Sequence, residues 1–287
     1  MLGIIGGSGV YRIDGLDEAE SLIVETPWGR PSGPISLGEV SGQRIAFLPR
    51  HGKGHRLDPA SVPYRANIDA LKRLGVTDLV SISACGSFRE EMVPGHVVVV
   101  DQFIDRTKGR ADSFFGPGCV AHVSLARPTC ARLSAGAAKA ARAAGATVHE
   151  GGTYIAMEGP QFSTAAESRL YRSWGADVIG MTNLPEARLA REAELCYATL
   201  AMVTDYDAWR DGEAGVEVSD VLKTLAANAI RALAMAAELP RATATADRSV
   251  PCPEGCDRAL DHALMTAPGQ RDRDLLARLD AVAGRVL

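Results

Sequence analysis

The feature that most constrains this chain is the alternation of short apolar runs with longer helical patterns. Eight runs rich in β-branched residues each end in a polar or glycine-rich segment, which is typical of buried strands; they span residues 2–6, 21–25, 44–48, 78–83, 96–101, 153–157, 177–181 and 197–204. Helical patterns lie between several of them, over residues 64–74, 132–144, 165–174, 186–194 and 218–236. This alternation predicts an α/β fold with a mostly parallel sheet that helices cover.

The first strands lie close together in the sequence, and a turn-forming segment over residues 27–33 separates two of them. This spacing predicts hairpins and therefore a mixed sheet. We expect one α/β domain over residues 1–240, with a central mixed, largely parallel sheet flanked by helices. Residues 241–247 have low complexity and predict a linker. Helical patterns over residues 257–266 and 273–286 predict that residues 241–287 form a C-terminal linker and helical extension.

One helix carries clear boundary signals. Thr164 and Glu167 form a Thr-x-x-Glu capping box before the pattern that begins at residue 165, and Gly175 follows as the expected stop.

Composition excludes several classes of protein. With 46% apolar and 23% charged residues, the chain is neither disordered nor a coiled coil. Its net charge of −4 provides no basic field, so neither nucleic acid nor a membrane surface is expected as a partner. No apolar run approaches the roughly 20 residues that span a bilayer, and the N-terminus lacks the pattern of a signal peptide. Six dispersed cysteines suit a reducing compartment, so we expect a cytoplasmic location.

The segments that follow the predicted strands are the candidate site, because ligands of such sheets bind beyond the carboxyl ends of the strands. Gly6-Gly7-Ser8-Gly9 lacks the glycine and lysine patterns of dinucleotide sites and P-loops. Its N–H groups and the Ser8 hydroxyl could still bind an anion, with a plain tight turn as the alternative. Arg50 and His51 follow another strand, in a glycine-containing loop that suits anion donors better than a zinc helix built on His51 and His55.

Two further strand ends offer small or hydroxyl-bearing residues. Ser83 and Ala84 lie where large side chains would block a ligand, with close packing as the alternative reading. Thr182 follows the strand over residues 177–181 and stands beside a soft apolar contact, Met181. Cys85 has no evident neighbouring base, so nothing here indicates covalent catalysis.

Asp205 and Asp207 close the strand over residues 197–204. If the strand geometry persists, both carboxyls lie on one face about 7 Å apart, and their repulsion raises the pKa of at least one. A protonated carboxyl could donate to a ring nitrogen while its partner accepts from an amino group. A solvated turn or a helix cap is the alternative. Together with the hydroxyls, the arginine and the histidine, which suit phosphate, the pair indicates an enzyme that acts on phosphate and a nucleoside.

Seven segments carry a more specific signal in their order along the chain. They are GGSG at 6–9, RHG at 50–52, SACGS at 83–87, DQFIDRT at 101–107, MEGPQFS at 157–163, DVIGMT at 177–182 and TDYDAW at 204–209. These motifs resemble the trimeric purine nucleoside phosphorylase family, and within it the branch that acts on 5′-methylthioadenosine. The resemblance runs nearly continuously from Gly3 to about Ala236, whereas the tail beyond residue 240 departs from the family pattern.

The resemblance implies roles for the matching residues. The phosphate ligands it implies are Ser8, Arg50, His51, Ser83, Ala84 and Thr182. The residues it implies at the base are Phe162, Ser163, Asp205 and Asp207, with the two carboxyls catalytic at N7 and the 6-amino group. Met181 would lie under the ribose, and His122 from a neighbouring subunit would close the 5′ end. Ser8 and Ser83 replace threonines that are common in the family and keep the hydroxyl.

The 5′ pocket distinguishes branches of the family. An apolar helical face is formed by Val218, Val221, Leu222 and Leu225. Relatives that bind a 5′-hydroxyl place a histidine at the position of Val218, so a valine there implies a methylthio or similar 5′ substituent. Relatives that act on 6-oxopurines carry asparagine at the position of Asp205, so a carboxyl there implies adenine. An ordinary core stripe is the alternative for the apolar face.

The reaction that the resemblance implies is cleavage of 5′-methylthioadenosine by phosphate, giving adenine and 5-methylthioribose 1-phosphate. This is a pentosyl transfer of purine salvage, with phosphate as co-substrate, no metal or organic cofactor, and a homotrimer or dimer of trimers. The alternatives are phosphorolysis of purine nucleosides, of methylthioinosine, or of another 5′-deoxy-5′-substituted adenosine. The residues alone also leave open a phosphate-independent nucleosidase and a non-catalytic nucleoside-binding module.

The tail offers Cys252 and Cys256, separated by three residues. They could form a disulfide or half of a metal site that lacks a second pair, but we expect two ordinary thiols in a loop. Residues 263–266 would either cover the 5′ pocket or contact another subunit.

Overall fold

The computed structural model describes residues 1–10, 16, 20–210, 218–243 and 250–287, and for residues 218–222 it describes the backbone alone. The strands of this part of the chain are β1 (Leu2–Gly6), β2 (Glu20–Leu22), β3 (Ile35–Val40), β4 (Gln43–Pro49), β5 (Asp78–Ser87), β6 (Val97–Val100), β7 (Gln102–Arg106), β8 (Val148–Glu150), β9 (Thr153–Met157), β10 (Val178–Gly180) and β11 (Cys196–Asp205). The helices are α1 (Tyr64–Arg73), α2 (Ala131–Ala143), α3 (Ala165–Ser173), α4 (Asn183–Glu192), α5 (Val218–Ala242), α6 (Arg273–Arg278) and α7 (Asp280–Ala283).

All eleven strands belong to one mixed sheet that branches at β5. One path runs β2-β3-β4-β1-β5-β10-β9-β7, and the other runs from β5 through β11 and β6 to β8. The central pairs β4–β1–β5–β11 are parallel, whereas β2–β3 and β3–β4 are antiparallel. The predicted mixed, largely parallel α/β sheet and its initial hairpins are therefore confirmed.

Helices cover both faces of the sheet, which explains why β1 is apolar at every position. Its successive side chains alternate between faces, so Ile4 and Ile5 belong to two different buried clusters. The cluster around Ile5 includes side chains of α1, α4 and α7. The cluster around Ile4 includes side chains of α2 and α5. A strand buried on both faces has no polar side, as the uniform burial of β1 shows.

Helix α3 begins as its sequence predicts. The Thr164 hydroxyl accepts a hydrogen bond from the backbone N–H of Glu167, and the Glu167 carboxylate accepts one from the backbone N–H of Thr164. Gly175 has a positive φ of 84°, which a glycine adopts at low cost and which ends the helical path. Both signals of the capping box are confirmed.

The tail differs from the prediction. Residues 257–266 form one 3₁₀ turn, Cys256–Arg258, rather than a helix, and the helical pattern over 273–286 is divided between α6 and α7. Leu260, Ala263 and Leu279 are buried with the cluster around Ile5, so the tail is part of the core.

The predicted linker over residues 241–247 is described only at its start. Its first two residues, Arg241 and Ala242, form the end of α5. Residues 244–247 lie outside the described residues. The division of the chain at residue 240 therefore stays a prediction.

Candidate active site

The carboxyl ends of β1, β4 and β5 meet at one edge of the sheet. Gly6, the last residue of β1, pairs with Pro49 of β4 and Ile82 of β5 in parallel register. The chain passes so closely here that a Cβ on Gly7 would lie 2.7 Å from the carbonyl oxygen of Ile82 and 2.9 Å from Nη1 of Arg50. A glycine is therefore required at residue 7, and the loops after β1 and β4 lie against β5.

A gap in the sheet opens beside β5. On the edge that faces β1, pairing with β1 ends at Ile82, and pairing with β10 begins only at Gly86. The prediction that β5 ends at Ser83 is wrong, because the strand continues to Ser87 along β11. Residues 83–85 consequently have a strand partner on one edge only. Their other edge is available to a ligand.

The gap leads into a cavity of about 560 Å³. The predicted residues that line it are Ser8, Arg50, His51, Ser83, Ala84, Phe162, Met181, Thr182, Asp205 and Asp207, together with Leu225 of the predicted 5′ pocket. The structure thus brings the predicted phosphate ligands and the two carboxyls to one cavity.

Five predicted residues need separate description. Ser163 does not line the cavity, but its hydroxyl lies 3.6 Å from the sulfur of Met157, which does. His122 lies outside the cavity of its own chain, where its backbone N–H donates to the carbonyl of Ala263. The remaining predictions concern the first turns of α5, and the side chains concerned lie outside the described residues; these are Val218, Val221 and Leu222.

Arg50 is fully buried and held by a carboxylate that the sequence analysis did not identify. Its Nε and Nη2 lie 2.8 Å and 3.1 Å from the two carboxylate oxygens of Glu186 on α4. Nη2 also donates to the Ser81 hydroxyl, and Nη1 donates to the carbonyl of Ile82 at 3.3 Å. Burial disfavours the guanidinium charge, but Glu186 more than offsets this and raises the pKa of Arg50. Within the part of the chain that the structure describes, four of the five N–H groups have partners, and one on Nη1 is left for a ligand.

A second buried residue, Asn183, extends this network to the gap. Its Nδ2 group lies within hydrogen-bonding distance of Ser81, Tyr197 and Thr199, and its Oδ1 accepts from the Ser83 hydroxyl at 2.8 Å. Asn183 and Glu186 both lie at the start of α4, directly after Thr182 and on either side of Leu184, whose backbone is extended. Leu184 and Pro185 separate the two residues in the sequence, so no run of polar residues marks them, and the sequence analysis had no signal for either.

His51 enters the cavity as a neutral ring. Its Nδ1 lies 2.7 Å from the carbonyl oxygen of Leu57, and because a carbonyl only accepts, Nδ1 carries the proton. Burial, and then the nearby Arg50 charge, lower the pKa of His51 to about 4. The neutral ring presents Nε2 as an acceptor, so it donates to a phosphate oxygen only after it gains a proton. His55 stacks on it with ring centroids 4.2 Å apart.

The two carboxyls are held by a turn and not by continued strand geometry. β11 has a bulge between Val203 and Asp205 and ends there, and Asp207 has a positive φ of 50°. The expectation of a shared strand face is therefore wrong. The backbone N–H of Asp207 instead donates to Oδ1 of Asp205 at 2.8 Å, and the Thr204 hydroxyl lies 2.6 Å from Oδ2.

Both carboxyls have a pKa above the ordinary value for an aspartate. Burial raises the pKa of Asp205, against the hydrogen bonds from Thr204 and Asp207. Burial also raises the pKa of Asp207, against hydrogen bonds from Ser168 and Ala208, and the charge of Asp205 adds a smaller upward effect. Oδ2 of Asp207 is buried and makes no hydrogen bond to the described residues. A buried oxygen without a partner is costly, and a polar ligand in the cavity would satisfy it.

Comparison with known proteins assigns the chain to a family. The model of the phosphorylase superfamily matches residues 1–239. The chain therefore belongs to the phosphorylase superfamily, and the class of enzyme that the motifs predict is confirmed.

Individual relatives and solved structures within the family are similar to the chain over nearly its whole length. S-methyl-5′-thioadenosine phosphorylase from Cereibacter sphaeroides is 68% identical over 287 residues, covering 100% of this chain and 98% of that protein. A methylthioadenosine phosphorylase from an Antarctic soil metagenomic library has a similar structure, with a TM-score of 0.90, 45% identity and 98% of both chains covered. A mutant adenosine/methylthioadenosine phosphorylase from Schistosoma mansoni in complex with methylthioadenosine has a TM-score of 0.85 and 35% identity, covering 92% of this chain and 98% of that one.

The comparisons also correct the range of the resemblance. The similarity to the Cereibacter protein extends over the whole chain, so the expectation that the tail departs from the family is wrong. The burial of tail side chains in the core gives the physical reason, because a segment that completes the core is part of the fold.

Proposed function

We propose that this chain cleaves 5′-methylthioadenosine with phosphate, giving adenine and 5-methylthioribose 1-phosphate. The observation that carries the proposal is the single cavity that Arg50 and Asp205 both line. Its volume of about 560 Å³ lies within the range of small-molecule sites and accommodates an anion beside a nucleoside. The similarity to named methylthioadenosine phosphorylases supports the same reaction.

At one end of the cavity, we propose that phosphate binds to the remaining Nη1 donor of Arg50, the hydroxyls of Ser8 and Thr182, and the backbone of Ala84. The Ser83 hydroxyl, which donates to Asn183 in this structure, is proposed to turn and donate to phosphate when it binds. Glu186 fixes the guanidinium plane without occupying this donor. Departure of the base leaves positive charge on the ribose, which a phosphate dianion stabilises before it attacks C1′. Holding both reactants in one cavity supplies the orientation that the reaction needs.

At the other end, Asp205 is the proposed acid that protonates N7 as the bond to adenine breaks. Burial raises the pKa of this carboxyl, which favours its protonated form and supports its proposed role as the proton donor. Asp207 accepts from the 6-amino group, for which its unpartnered Oδ2 is suited. Phe162 faces the purine with Ser163 nearby, and Met181 packs under the ribose. No group is oxidised or reduced in this transfer, so the reaction needs phosphate and no redox cofactor.

The 5′ end of the proposed site needs a second copy of the chain. His122 lies outside the cavity of its own chain, and it reaches a 5′ substituent only if it comes from a neighbouring subunit. We therefore propose a homotrimer or a dimer of trimers. Sedimentation or light scattering would then give the mass of three or six chains, and a monomer that is fully active would refute the role of His122.

We also propose that the enzyme acts in purine salvage in the cytoplasm. None of the six cysteines forms a disulfide, which suits a reducing compartment. Among the described residues, no helix has both the length and the apolar composition to cross a membrane.

The test is a panel of four nucleosides in the presence of phosphate: methylthioadenosine, methylthioinosine, adenosine and inosine. We expect methylthioadenosine to have the highest kcat/KM. Inosine and methylthioinosine should have a lower kcat/KM because the acid at the base favours adenine. Adenosine should have a lower kcat/KM because the 5′ pocket favours an apolar substituent. A preference for inosine would refute the assignments of both ends.

A further inference from the structure

Four cysteines from distant parts of the sequence meet in one buried cluster. They are Cys130, Cys196, Cys252 and Cys256, and their sulfur atoms all lie within 4.8 Å of one another. Each residue is less than 9% exposed. The pair in the tail is visible in the sequence, but no second pair is, because the other two cysteines lie more than fifty residues away along the chain. None of the four lines the cavity of the proposed active site.

The fold positions the first pair on rigid elements. Cys130 directly precedes α2, and Cys196 is the first residue of β11. The backbone N–H of Cys130 donates to the carbonyl of Tyr197 at 2.8 Å, which fixes the start of the helix against the start of the strand. The thiol of Cys130 lies at the positive end of a thirteen-residue helix, where a thiolate is favoured.

A tight turn positions the second pair. Gly255 has a positive φ of 67°, and its N–H donates to the carbonyl of Cys252 at 2.9 Å. The carboxylate of Asp257 accepts from the backbone N–H of Cys252 at 3.0 Å and holds the other side of the turn. The turn reverses the chain between the two cysteines, so both thiols point to the same place. A Cβ at Gly255 would meet no neighbour, so its role is its backbone conformation.

The spacing of the sulfur atoms matches a tetrahedral metal site. With zinc–sulfur bonds of about 2.3 Å, tetrahedral ligands lie about 3.8 Å apart. The sulfur of Cys252 lies 3.8 Å from that of Cys130 and 3.5 Å from that of Cys196. All four sulfurs are close to each other, whereas two disulfides would require two separate pairs with sulfurs about 2 Å apart.

One cationic side chain contacts the cluster. Four thiolates around a divalent ion carry a net charge of −2, which is costly to bury alone. The Arg132 guanidinium contacts both the Asp78 carboxylate and the Cys196 thiol. Groups that donate to the sulfur atoms are the usual second layer of such sites and tune their affinity.

We propose that Cys130, Cys196, Cys252 and Cys256 bind one zinc ion as a closed tetrathiolate site. Its role is structural, because four protein ligands leave no position for substrate or water. The ion joins the tail to α2 and β11 and so fixes the segment that contributes Leu260 and Ala263 to the core. The proposal is independent of the proposed reaction.

The first test is the metal content of the full chain, purified with a reductant and without chelator. We expect about one zinc per chain in the wild type and roughly a tenth of that or less in the double variant Cys252→Ser, Cys256→Ser. The matched control is Cys119→Ser, which removes a buried thiol outside the cluster and should leave the zinc content unchanged.

A second measurement on the wild type does not depend on how the variants fold. Refolding with cobalt in place of zinc should give the intense visible absorption of a tetrahedral cobalt thiolate, and zinc addition should abolish it. Chelator should lower the melting temperature of the wild type and of Cys119→Ser. A folded wild type that holds no zinc and takes up neither zinc nor cobalt would overturn the proposal. So would a mass lower by the four hydrogens that two disulfides lose.

Discussion

At the scale of single residues, the buried pair of Arg50 and Glu186 sets how phosphate is bound. The pair is fully desolvated, so the removal of either charge leaves the other uncompensated. Glu186→Gln should lower the free energy of unfolding by about 3–5 kcal/mol. Phosphate should restore more stability to this variant than to the wild type, because it supplies the missing negative charge. Denaturant unfolding with and without phosphate measures both effects.

The matched control for this prediction is Glu194→Gln. Glu194 is a second buried glutamate, and it pairs with Arg285 away from the cavity. Phosphate should stabilise Glu194→Gln no more than it stabilises the wild type. An equal phosphate effect in the wild type and Glu186→Gln would mean that Arg50 does not meet the anion.

Asp205 carries the second prediction at this scale. Asp205→Asn removes the proposed acid and should lower kcat/KM for methylthioadenosine by about 10²–10⁴. The resemblance implies that relatives acting on 6-oxopurines carry asparagine at this position, so the preference should shift toward methylthioinosine. Steady-state kinetics on both nucleosides check this, with Asp101→Asn, an exposed carboxylate outside the cavity, as the control. Near wild-type turnover with an unchanged preference would refute the role of Asp205.

His51 predicts a dependence of stability on pH. The folded pKa is about 4 against about 6.5 for a free histidine, so the unfolded chain binds more protons between these values. The contribution of His51 to stability is therefore complete above about pH 6.5 and is lost as the pH falls toward 4. Relative to His51→Gln, the wild type should lose about 2 kcal/mol between pH 7 and pH 5. Unfolding in phosphate-free buffer measures this, and a pH-independent difference would contradict a neutral buried ring.

The residues that face the ligand could be predicted from the sequence, whereas the residues that position their side chains could not. Arg50 and Asp205 follow strands and belong to recognisable motifs, so both could be assigned. Glu186 is separated from Arg50 by 136 residues, and nothing in its own segment indicates a buried arginine. The turn at Asp207 was also missed, because a positive φ in an aspartate leaves no pattern in the apolar residues around it.

At the scale of elements, α3 contacts the turn that carries Asp207, so the cap of this helix supports the proposed base site. The Ser168 hydroxyl of this helix accepts from the backbone N–H of Ala208, next to Asp207. Thr164→Ala removes the cap and should lower the free energy of unfolding by about 1 kcal/mol. Thr164→Ser keeps the hydroxyl and is the control. Denaturant titration of the three proteins checks the prediction, and equal stability of Thr164→Ala and the wild type would contradict it.

Three strands escaped prediction for different physical reasons. β3 includes a glycine and one exposed polar residue, Glu39, so its apolar pattern is weak. β7 directly follows β6, and the boundary at Asp101 separates two strands that belong to different branches of the sheet. β8 has three residues, none of them fully buried. Strands that are buried on both faces, such as β1 and β11, were predicted from their apolar runs.

At the scale of the whole molecule, the sheet creates the site by what it leaves unpaired. β1 stops before β10 begins along the same edge of β5, and the ligands gather around the opening. The order of strands in the sheet could not be read from the sequence, although the fold class could. The same limit applies to the four cysteines, which only the folding of the tail against α2 and β11 brings together.

The central claim is that phosphate and a nucleoside react within one cavity. Its most direct test is to follow methylthioadenosine cleavage by phosphorus NMR while adenine is measured by absorbance. The account predicts that adenine release requires phosphate and that one sugar 1-phosphate appears for each adenine released. Adenine release at the same rate without phosphate, with free methylthioribose as the product, would contradict it.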